Sequence, residues 1–362
     1  MVTPSRIALA RRRRGLTHVE LSELVGVSAQ SLSNYENGRQ VPYEEVVERL
    51  AMALNFPTAF FYAKEADPIT PQAVSFRARS KLRATHRNMA LAASDLAVEF
   101  HDWLTARLGL PKPDLPTLGK PDPATAAAMV RSRWGLGVAP ISNMIHLLEV
   151  HGVRVFSLAH EYQDVDAFSF YRGPVPFVFL NTSKTAERSR FDAAHELGHL
   201  ILHFDERPVD RPQAEEEANA FARHFLMPAE SVIAHMPKSP FVDQILRGKH
   251  IWKVSALGLT YQLHDLGMLS DWNYRKTCIE LGKRGYKTAE PDGMDRETSQ
   301  LLEKVFRALR AKAISPRQIA RDLHIPVEML SEFAFGLTMV AVQGGASEPQ
   351  GPPPQLRLIR SN

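Results

Sequence analysis

Apolar residues recur at helical spacing along most of this 362-residue chain, and short β-type runs occupy only its middle. Runs rich in valine and phenylalanine predict strands at 153–158, 167–171 and 175–180, the last two joined as a hairpin. Elsewhere the pattern predicts helices: five short ones within 5–62, then 88–108, 124–134, 141–151 and a helical stretch from about 184 to 290. The fold class that follows is mostly α with a small β-sheet, an α+β architecture.

Changes of composition divide the chain into five segments. The five-helix segment at 1–65 precedes a connector at 66–123, whose second half is punctuated by proline. The segment 124–285 contains the predicted sheet, 286–343 is again helical, and 344–362 is rich in glycine and proline. We expect that last segment to be disordered, because its composition offers little apolar surface to bury. The length suits two or three domains.

The strongest chemical signal is His-Glu-x-x-His at 195–199, inside a predicted helix with apolar flanks. Residues four apart share one helix face, so His195 and His199 can bind one Zn²⁺ together. Glu196 would then lie beside the metal, where a carboxylate can take a proton from water. The alternative is that these are ordinary helix residues, since the motif fixes only three positions. The apolar flanks and the acidic helix that follows favour the metal site.

A catalytic zinc site takes three protein ligands and leaves one position open, so a third ligand is needed. The next predicted helix offers three consecutive carboxylates, Glu215, Glu216 and Glu217. Glu216 points about 100° away from Glu215 and is expected to face solvent, which leaves Glu215 and Glu217 as alternatives. His203 shares a helix face with His199 and is predicted to support the site rather than to bind the metal. Asp205 stands where a metzincin carries its third histidine.

A second motif lies at 16–38, near the start of the chain. Thr17 and Glu20 have the spacing of a capping box, and Gly26 falls at a tight turn between two short amphipathic segments. The pattern resembles the lambda-repressor-like (XRE) helix-turn-helix. That resemblance implies that the second helix enters the major groove of a double-stranded DNA operator, and that the protein acts as a homodimer on paired half-sites.

The same resemblance assigns the DNA contacts residue by residue. Base edges would be read by Gln30, Ser31 and Asn34, with Ala29 against a thymine methyl. Phosphates would be held by Thr17, Asn37, Arg39 and the run at 11–14. The alternative is a five-helix packing domain without DNA, because residues 1–60 carry seven Arg against six Glu. Short polar side chains at the groove-facing positions favour DNA binding.

The sequences HELGHLILH at 195–203 and EEEANAFARHFLMP at 215–228 together resemble the ImmA/IrrE family of zinc metallo-endopeptidases. The resemblance implies a zincin-like peptidase domain whose third ligand is a Glu four residues before an Asn, which here is Glu215 before Asn219. It also implies a protein substrate of the repressor or antitoxin type, cut to switch stress, defence or mobile-element genes. The alternative function is a transcription factor or antitoxin whose zinc domain senses or binds a partner and cuts nothing.

Two further assignments concern the substrate of such a peptidase. An extended peptide can add to the edge of a sheet by main-chain hydrogen bonds, and 175–180 is the strand expected to offer that edge. A hydroxyl or cation should stabilise the charge that develops on the scissile carbonyl oxygen. Tyr171, Tyr261 and His264 are unranked alternatives for that role.

The hydrophobic skeleton of the helix-turn-helix recurs at 314–336, which aligns without gaps on 16–38. Glu328 and Glu332 stand where the first copy has Gln30 and Asn34, and acids repel phosphate. The second copy is therefore predicted to be a packing or protein-contact module.

Composition narrows the class of protein. No apolar run reaches the length of a membrane span, and no apolar segment follows the basic N-terminus as in a signal peptide. The single cysteine, Cys278, excludes an internal disulfide and a thiolate zinc cluster. A cytoplasmic protein without a membrane partner is expected. The formal net charge of +4 permits contact with nucleic acid without requiring it.

Overall fold

The computed structural model of the chain describes residues 1–70, 74–78, 84–158, 165–204 and 211–335. It confirms the predicted fold class, since most described residues are helical and the strands form one small sheet. The predicted tail at 344–362 and Asp205 lie outside the described residues. Within the described ranges, no helix is both long enough and apolar enough to span a bilayer.

The N-terminal region forms the five predicted short helices, four of them α-helical and the last a 3₁₀-helix. They are α1 (Pro4–Arg13), α2 (His18–Val25), α3 (Ala29–Glu36), α4 (Glu44–Leu54) and η1 (Thr58–Tyr62). The capping box at the start of α2 is present as predicted, because the Thr17 hydroxyl accepts from the Glu20 amide and the Glu20 carboxylate accepts from the Thr17 amide. Gly26 ends α2 at a φ of 68°, a conformation that glycine adopts without strain.

A long helix, α5 (Ala84–Thr105), connects this region to the rest of the protein. It packs against α1, where Arg6 and Glu99 form an ion pair with an N–O distance of 2.8 Å. Further along α5, the Phe100 ring lies 6.4 Å from that of Phe156, which belongs to the sheet. One helix therefore touches both the N-terminal region and the sheet.

The sheet has four strands: β1 (Ser75–Ala78), β2 (Arg154–Leu158), β3 (Val165–Arg172) and β4 (Val175–Asn181). Their order is β1-β3-β4-β2, with β3 antiparallel to both β1 and β4, and β2 parallel to β4. The hairpin of β3 and β4 was predicted. The expectation that 175–180 is an edge strand is wrong, because β4 pairs on both sides. Strand β1 was not predicted, and it comes from the connector.

Both faces of the sheet are buried. Phe177 and Phe179 point into one hydrophobic cluster, which the sheet shares with the N-terminal helices, α5 and the C-terminal helices. Val178 and Leu180 point into the other, which contains the helices of the central segment. Alternate residues of a strand face opposite sides, so a strand with two buried faces is apolar throughout.

Helices complete the central and C-terminal segments. The central ones are α6 (Pro123–Arg133), α7 (Met144–Val150), α8 (Ala186–Leu202), α9 (Arg211–Leu226), α10 (Ala229–His235), α11 (Val242–Trp252), α12 (Ala256–Asp265) and α13 (Asp271–Lys283). The C-terminal ones are α14 (Gln300–Ala311), α15 (Pro316–Asp322) and α16 (Val327–Phe335).

The second helix of the repeated helix-turn-helix pattern, α16, faces the protein itself. The Ser157 hydroxyl of β2 donates to the backbone carbonyl of Glu332 at 2.5 Å. The Glu332 carboxylate forms an ion pair with Arg13 of α1. In the first copy the corresponding position, Asn34, lies on the helix assigned to DNA. The same skeleton thus presents its second helix to two different environments.

Candidate metal centre and nucleic-acid interface

Helix α8 carries the His-Glu-x-x-His residues on the face that packs against the sheet and α9. Thr185 caps its start by accepting a hydrogen bond from the Arg188 amide. His195 and Glu196 are fully buried, and His199 is nearly so. Three polar side chains buried on one helix need partners to offset the cost of removing them from water.

Two imidazole nitrogens and one carboxylate converge at a point between α8 and α9. The Nε2 atoms of His195 and His199 lie 3.0 Å apart. Each lies 3.4 Å from a different oxygen of Glu215. Ligands about 2.0–2.1 Å from a tetrahedral zinc are separated from one another by roughly 3.4 Å. The separations in this triad therefore suit a zinc ion.

Glu215 and Glu217, the two alternatives for the third ligand, occupy different places. Glu215 joins the histidine pair, and these three residues form the group of potential metal ligands found in the described part of the chain. Glu217 instead contacts His203, with 3.0 Å between its Oε2 and the imidazole Nε2. Glu216 is exposed, as predicted.

A glycine brings α9 close enough for Glu215 to reach the histidines. A Cβ atom added to Gly198 would lie 3.2 Å from the Ala218 Cα and 3.1 Å from the Phe221 ring. Both distances are tighter than ordinary van der Waals contact, so a side chain at this position would push the two helices apart. The glycine within His-Glu-Leu-Gly-His thus has a packing role.

Each of the two histidines has a hydrogen-bond partner behind it. Nδ1 of His195 lies 3.1 Å from the side-chain oxygen of Asn219, one turn after Glu215. Nδ1 of His199 lies 3.1 Å from Nδ1 of His203. Such contacts fix the orientation of a ligating imidazole and keep the proton on the nitrogen that does not face the metal.

Glu196 follows His195 in α8, and its carboxylate is held by the sheet. Ser169 of β3 donates its hydroxyl proton to Oε2 of Glu196 at 2.6 Å. A buried carboxylate in a hydrogen bond of this kind is fixed in one orientation. Ser169 was missed by the sequence reasoning, since nothing in a strand pattern distinguishes a serine that faces a helix from one that merely fills space.

Two opposing effects act on the Glu215 carboxyl group. Burial raises its pKa, but the hydrogen bonds and charges of His195 and His199 lower it by more, so that its pKa lies well below the usual range. Glu215 is therefore ionised at neutral pH and can act as an anionic ligand.

The three alternatives for stabilising the scissile carbonyl oxygen each contact another residue of the protein. The Tyr171 hydroxyl donates to the carbonyl of Leu200 at 3.1 Å, and burial raises its pKa to about 12. His264 bonds to Asp271 at 2.7 Å. Tyr261 is partly exposed, and the Arg223 guanidinium lies 4.5 Å from the centre of its ring. These contacts do not rank the three residues.

The polar residues assigned to DNA lie on α3 and its flanking turns. Gln30, Thr17, Asn37 and Arg39 are exposed, and Ala29, Ser31 and Asn34 are half-buried. The Gln30 amide donates to the Asn34 side-chain oxygen at 3.1 Å, one turn along the helix. The Ser31 hydroxyl lies 2.9 Å from that of Ser28, the N-cap residue. A short polar surface of this kind is compatible with a base-reading helix.

Three arginines of the run at 11–14, which was assigned to phosphates, have partners within the protein. Arg11 forms hydrogen bonds of 2.6 and 2.8 Å to the Glu36 carboxylate. Arg13 is buried and paired with Glu332. Arg14 donates to the carbonyl of Leu54 at 2.7 Å. These guanidinium groups hold α1 against its neighbours.

Comparisons with known proteins agree with both motifs. Residues 148–257 match the family model of the IrrE N-terminal-like domain, a range that contains the whole metal triad and Glu196. Residues 5–59 match a helix-turn-helix domain, a range that contains α3. No curated protein matches the chain. The chain therefore combines a DNA-binding helix-turn-helix domain with a domain of the metalloprotease type, in the predicted order.

Proposed function

We propose that this protein is a DNA-binding transcriptional regulator with a zinc-dependent endopeptidase activity. The observation that carries the proposal is the convergence of one ligand atom each from His195, His199 and Glu215, all within 4.8 Å of one another. The next residue after His195 is Glu196, a buried carboxylate held by Ser169. A purely structural zinc site has no need of that second carboxylate. A regulator that only senses zinc or binds a partner therefore leaves Glu196 unexplained.

His195, His199 and Glu215 would hold the metal, with two neutral imidazoles and one carboxylate as donors. When bound, Zn²⁺ supplies a Lewis acid that polarises a peptide carbonyl and makes water more acidic. Asn219 and His203 orient the two imidazoles from behind. The protein would thus supply two buried imidazoles and one partly exposed carboxylate as metal donors.

Glu196 is the proposed general base. Its carboxylate takes a proton from the attacking water as the new C–O bond forms at the scissile carbonyl, and then gives that proton to the departing amine. Ser169 holds one oxygen of this carboxylate at 2.6 Å, which aims the group without adding a charge. The net reaction is hydrolysis of one peptide bond.

The DNA-binding part of the proposal rests on α3. Ala29, Gln30, Ser31 and Asn34 would read bases, while Thr17, Asn37 and Arg39 would hold phosphates. We further propose that the protein binds its operator as a homodimer and that the substrate is a repressor or antitoxin-like protein, as in the ImmA/IrrE family. Domain boundaries near 65, 123, 285 and 343 belong to the same proposal.

The decisive variant is Glu196→Gln, which keeps the shape of the side chain and removes the base. Purified wild type and variant should both contain about one zinc per chain, because Glu196 is not a ligand. Only the wild type should cleave the products of neighbouring genes in a mixture analysed by mass spectrometry. Equal cleavage by the variant would refute the mechanism. Zinc in both with cleavage by neither would favour the non-catalytic regulator.

A further inference from the structure

The outer edge of β3 is occupied by a piece of the connector. Strand β1 pairs with β3 in antiparallel register, with Ser75 opposite Ser169, Phe76 opposite Phe168 and Arg77 opposite Ala167. The other side of β3 is paired with β4. A further strand can therefore join β3 only at the edge that β1 now holds.

This edge borders the proposed active site. Ser169 of β3 holds the Glu196 carboxylate, and Tyr171 of the same strand donates to the Leu200 carbonyl of α8. Near the start of the helix, Asp166 of the same strand accepts a hydrogen bond from Arg188 of α8 at 3.1 Å. Strand β3 thus contacts α8 through side chains at three positions along the helix.

A peptide that is to be cut must be extended at the scissile bond, and the common way to hold an extended peptide is to add it as a strand to a sheet edge. We propose that the outer edge of β3 is the substrate-binding edge and that β1 is a resident strand of the protein's own connector that occupies it. The substrate is then a segment that can adopt an extended strand and displace β1. This inference rests on the proposed peptidase function.

The anchoring of the connector fits a strand that exchanges. Before β1, the Ile69 amide donates to the Asp95 carboxylate at 2.8 Å, and Asp67 pairs with Arg172 at 2.6 Å. After it, the chain enters α5 at Ala84. Strand β1 lies between these anchors, so it can leave β3 while the N-terminal domain stays docked on α5. With only four residues and a register shift between Arg77 and Ala78, β1 is a weak strand.

The competing explanation is that β1 only covers an edge that would otherwise promote aggregation. The two explanations differ in whether a second peptide can take the place of β1. The probe is a fluorescein-labelled synthetic peptide with the sequence of residues 70–80, added to the full-length protein in the Glu196→Gln background so that it cannot be cut.

The variant that should open the edge is Phe76→Pro with Arg77→Pro. Only alternate residues of an edge strand point their N–H groups at the neighbouring strand, so two consecutive prolines remove at least one donor. The matched control is Phe76→Ala with Arg77→Ala, which removes the same side chains and keeps both donors. The proline variant should bind the labelled peptide about tenfold more tightly or better, because the resident strand competes at an effective concentration in the millimolar range.

The binding test does not depend on zinc, so the same difference should persist after treatment with a chelator. Equal peptide affinity for the proline variant, the alanine control and the parent would overturn the inference, whatever the outcome for zinc and cleavage. The proposed function would remain standing in that case, because its own test is the zinc content and cleavage by the wild type.

A disulfide that locks β1 in place provides the converse test. Directly opposed residues in antiparallel strands have Cα atoms about 4.5–5.5 Å apart, within disulfide range. Arg77→Cys with Ala167→Cys should, when oxidised, lose cleavage of the neighbouring gene product that the wild type cuts, and regain it on reduction. The single variants Arg77→Cys and Ala167→Cys should cleave equally in both conditions. Full cleavage by the oxidised double variant would contradict the inference and leave the peptidase function intact.

Discussion

Nε2 of His203 lies 3.0 Å from Oε2 of Glu217, and Nδ1 of the same ring lies 3.1 Å from Nδ1 of His199. With a neutral His203, one arrangement of protons makes both contacts hydrogen bonds. His199 donates from Nδ1 to His203, and His203 donates from Nε2 to Glu217. This arrangement leaves Nε2 of His199 without a proton, facing His195 and Glu215. The contact thus prepares His199 to bind a metal.

The first prediction is that Glu217→Gln weakens zinc binding about tenfold, the low end of what the loss of such an outer contact costs. The variant keeps a side chain of the same size on α9 but removes the negative charge that polarises His203. Zinc affinity would be measured by competition with a chromogenic chelator. The absorption spectrum of the Co²⁺-substituted protein should shift as well, since the geometry around the metal changes.

Glu216→Gln is the matched control for this variant, because Glu216 is the exposed neighbour on the same helix. It should leave the affinity and the spectrum unchanged. A Glu217→Gln protein with wild-type affinity would show that His203 and Glu217 only tie α8 to α9. Thermal unfolding of the metal-free proteins separates that structural effect from the effect on the metal.

The metal triad was open to prediction because its parts are local. The spacing of His195 and His199 fixes a shared helix face, and an i, i+4 relation also links Glu215 to Asn219. The contact of His203 with Glu217 depends instead on how α8 and α9 cross. That crossing is set by close packing at Gly198, which no periodic pattern reveals. The sequence therefore indicated the ligands and left the choice between Glu215 and Glu217 to the resemblance.

In the sheet, too, the sequence predicted the local elements but not the contacts between distant segments. The runs at 167–171 and 175–180 predicted β3 and β4 because valine and phenylalanine favour strands. Their order in the sheet depends on pairing between distant segments. Strand β1 has only four residues, and each of them precedes its paired residue in β3 by at least 87 positions in the sequence. The smallest separation is between Ala78 and Val165. Similarly, Arg13 of the arginine run pairs with Glu332, which is more than 300 residues away in the sequence. Because the sequence does not reveal such a distant partner, the run was assigned to phosphates.

The second prediction concerns the reading of DNA by α3. Gln30→Ala and Asn34→Ala should each weaken binding to the specific operator by about 1–3 kcal/mol and relax the preference at one base pair. Their affinity for unrelated DNA should be unchanged. The operator would be found by selection from genomic fragments, and affinities measured by fluorescence anisotropy at fixed salt. Glu328→Ala, at the position in α16 that aligns with Gln30, is the control and should bind as the wild type does.

The third prediction tests whether Arg13, in the arginine run, has a structural role or holds a phosphate. Arg13→Gln breaks the ion pair between the buried Arg13 and the partly exposed Glu332, and should lower the free energy of unfolding by about 1–3 kcal/mol. It should leave the slope of log affinity for DNA against log salt unchanged, because Arg13 holds no phosphate. Arg39→Gln should do the opposite, reducing the slope by about 1 while leaving stability within about 0.5 kcal/mol. An Arg13→Gln protein with normal stability and a reduced slope would restore the phosphate assignment.

The fourth prediction follows from a buried carboxyl group in α5. Burial raises the pKa of Asp95 to about 7, although the hydrogen bond from the Ile69 amide acts in the opposite direction. In the unfolded chain the group has a pKa near its ordinary value of about 3.9. Between these two values the folded protein holds a proton that the unfolded chain has lost. The favourable contribution of Asp95 is thus fully present below about pH 4 and is lost as the pH rises to about 7.

Asp95→Asn mimics the protonated carboxyl and cannot ionise, so its effect on stability should depend on pH. Relative to wild type, the free energy of unfolding of the variant should rise from pH 4 to pH 8 by up to about 4 kcal/mol, the equivalent of roughly three pKa units. Urea unfolding of both proteins at each pH gives the difference, in which the other ionisable groups cancel. Asp295→Asn, the same substitution at an exposed position, is the control. A constant difference for Asp95→Asn, or one that falls with pH, would mean that Asp95 is ionised in the folded protein throughout this range, and that the anchor of the connector at Ile69 is a charged one.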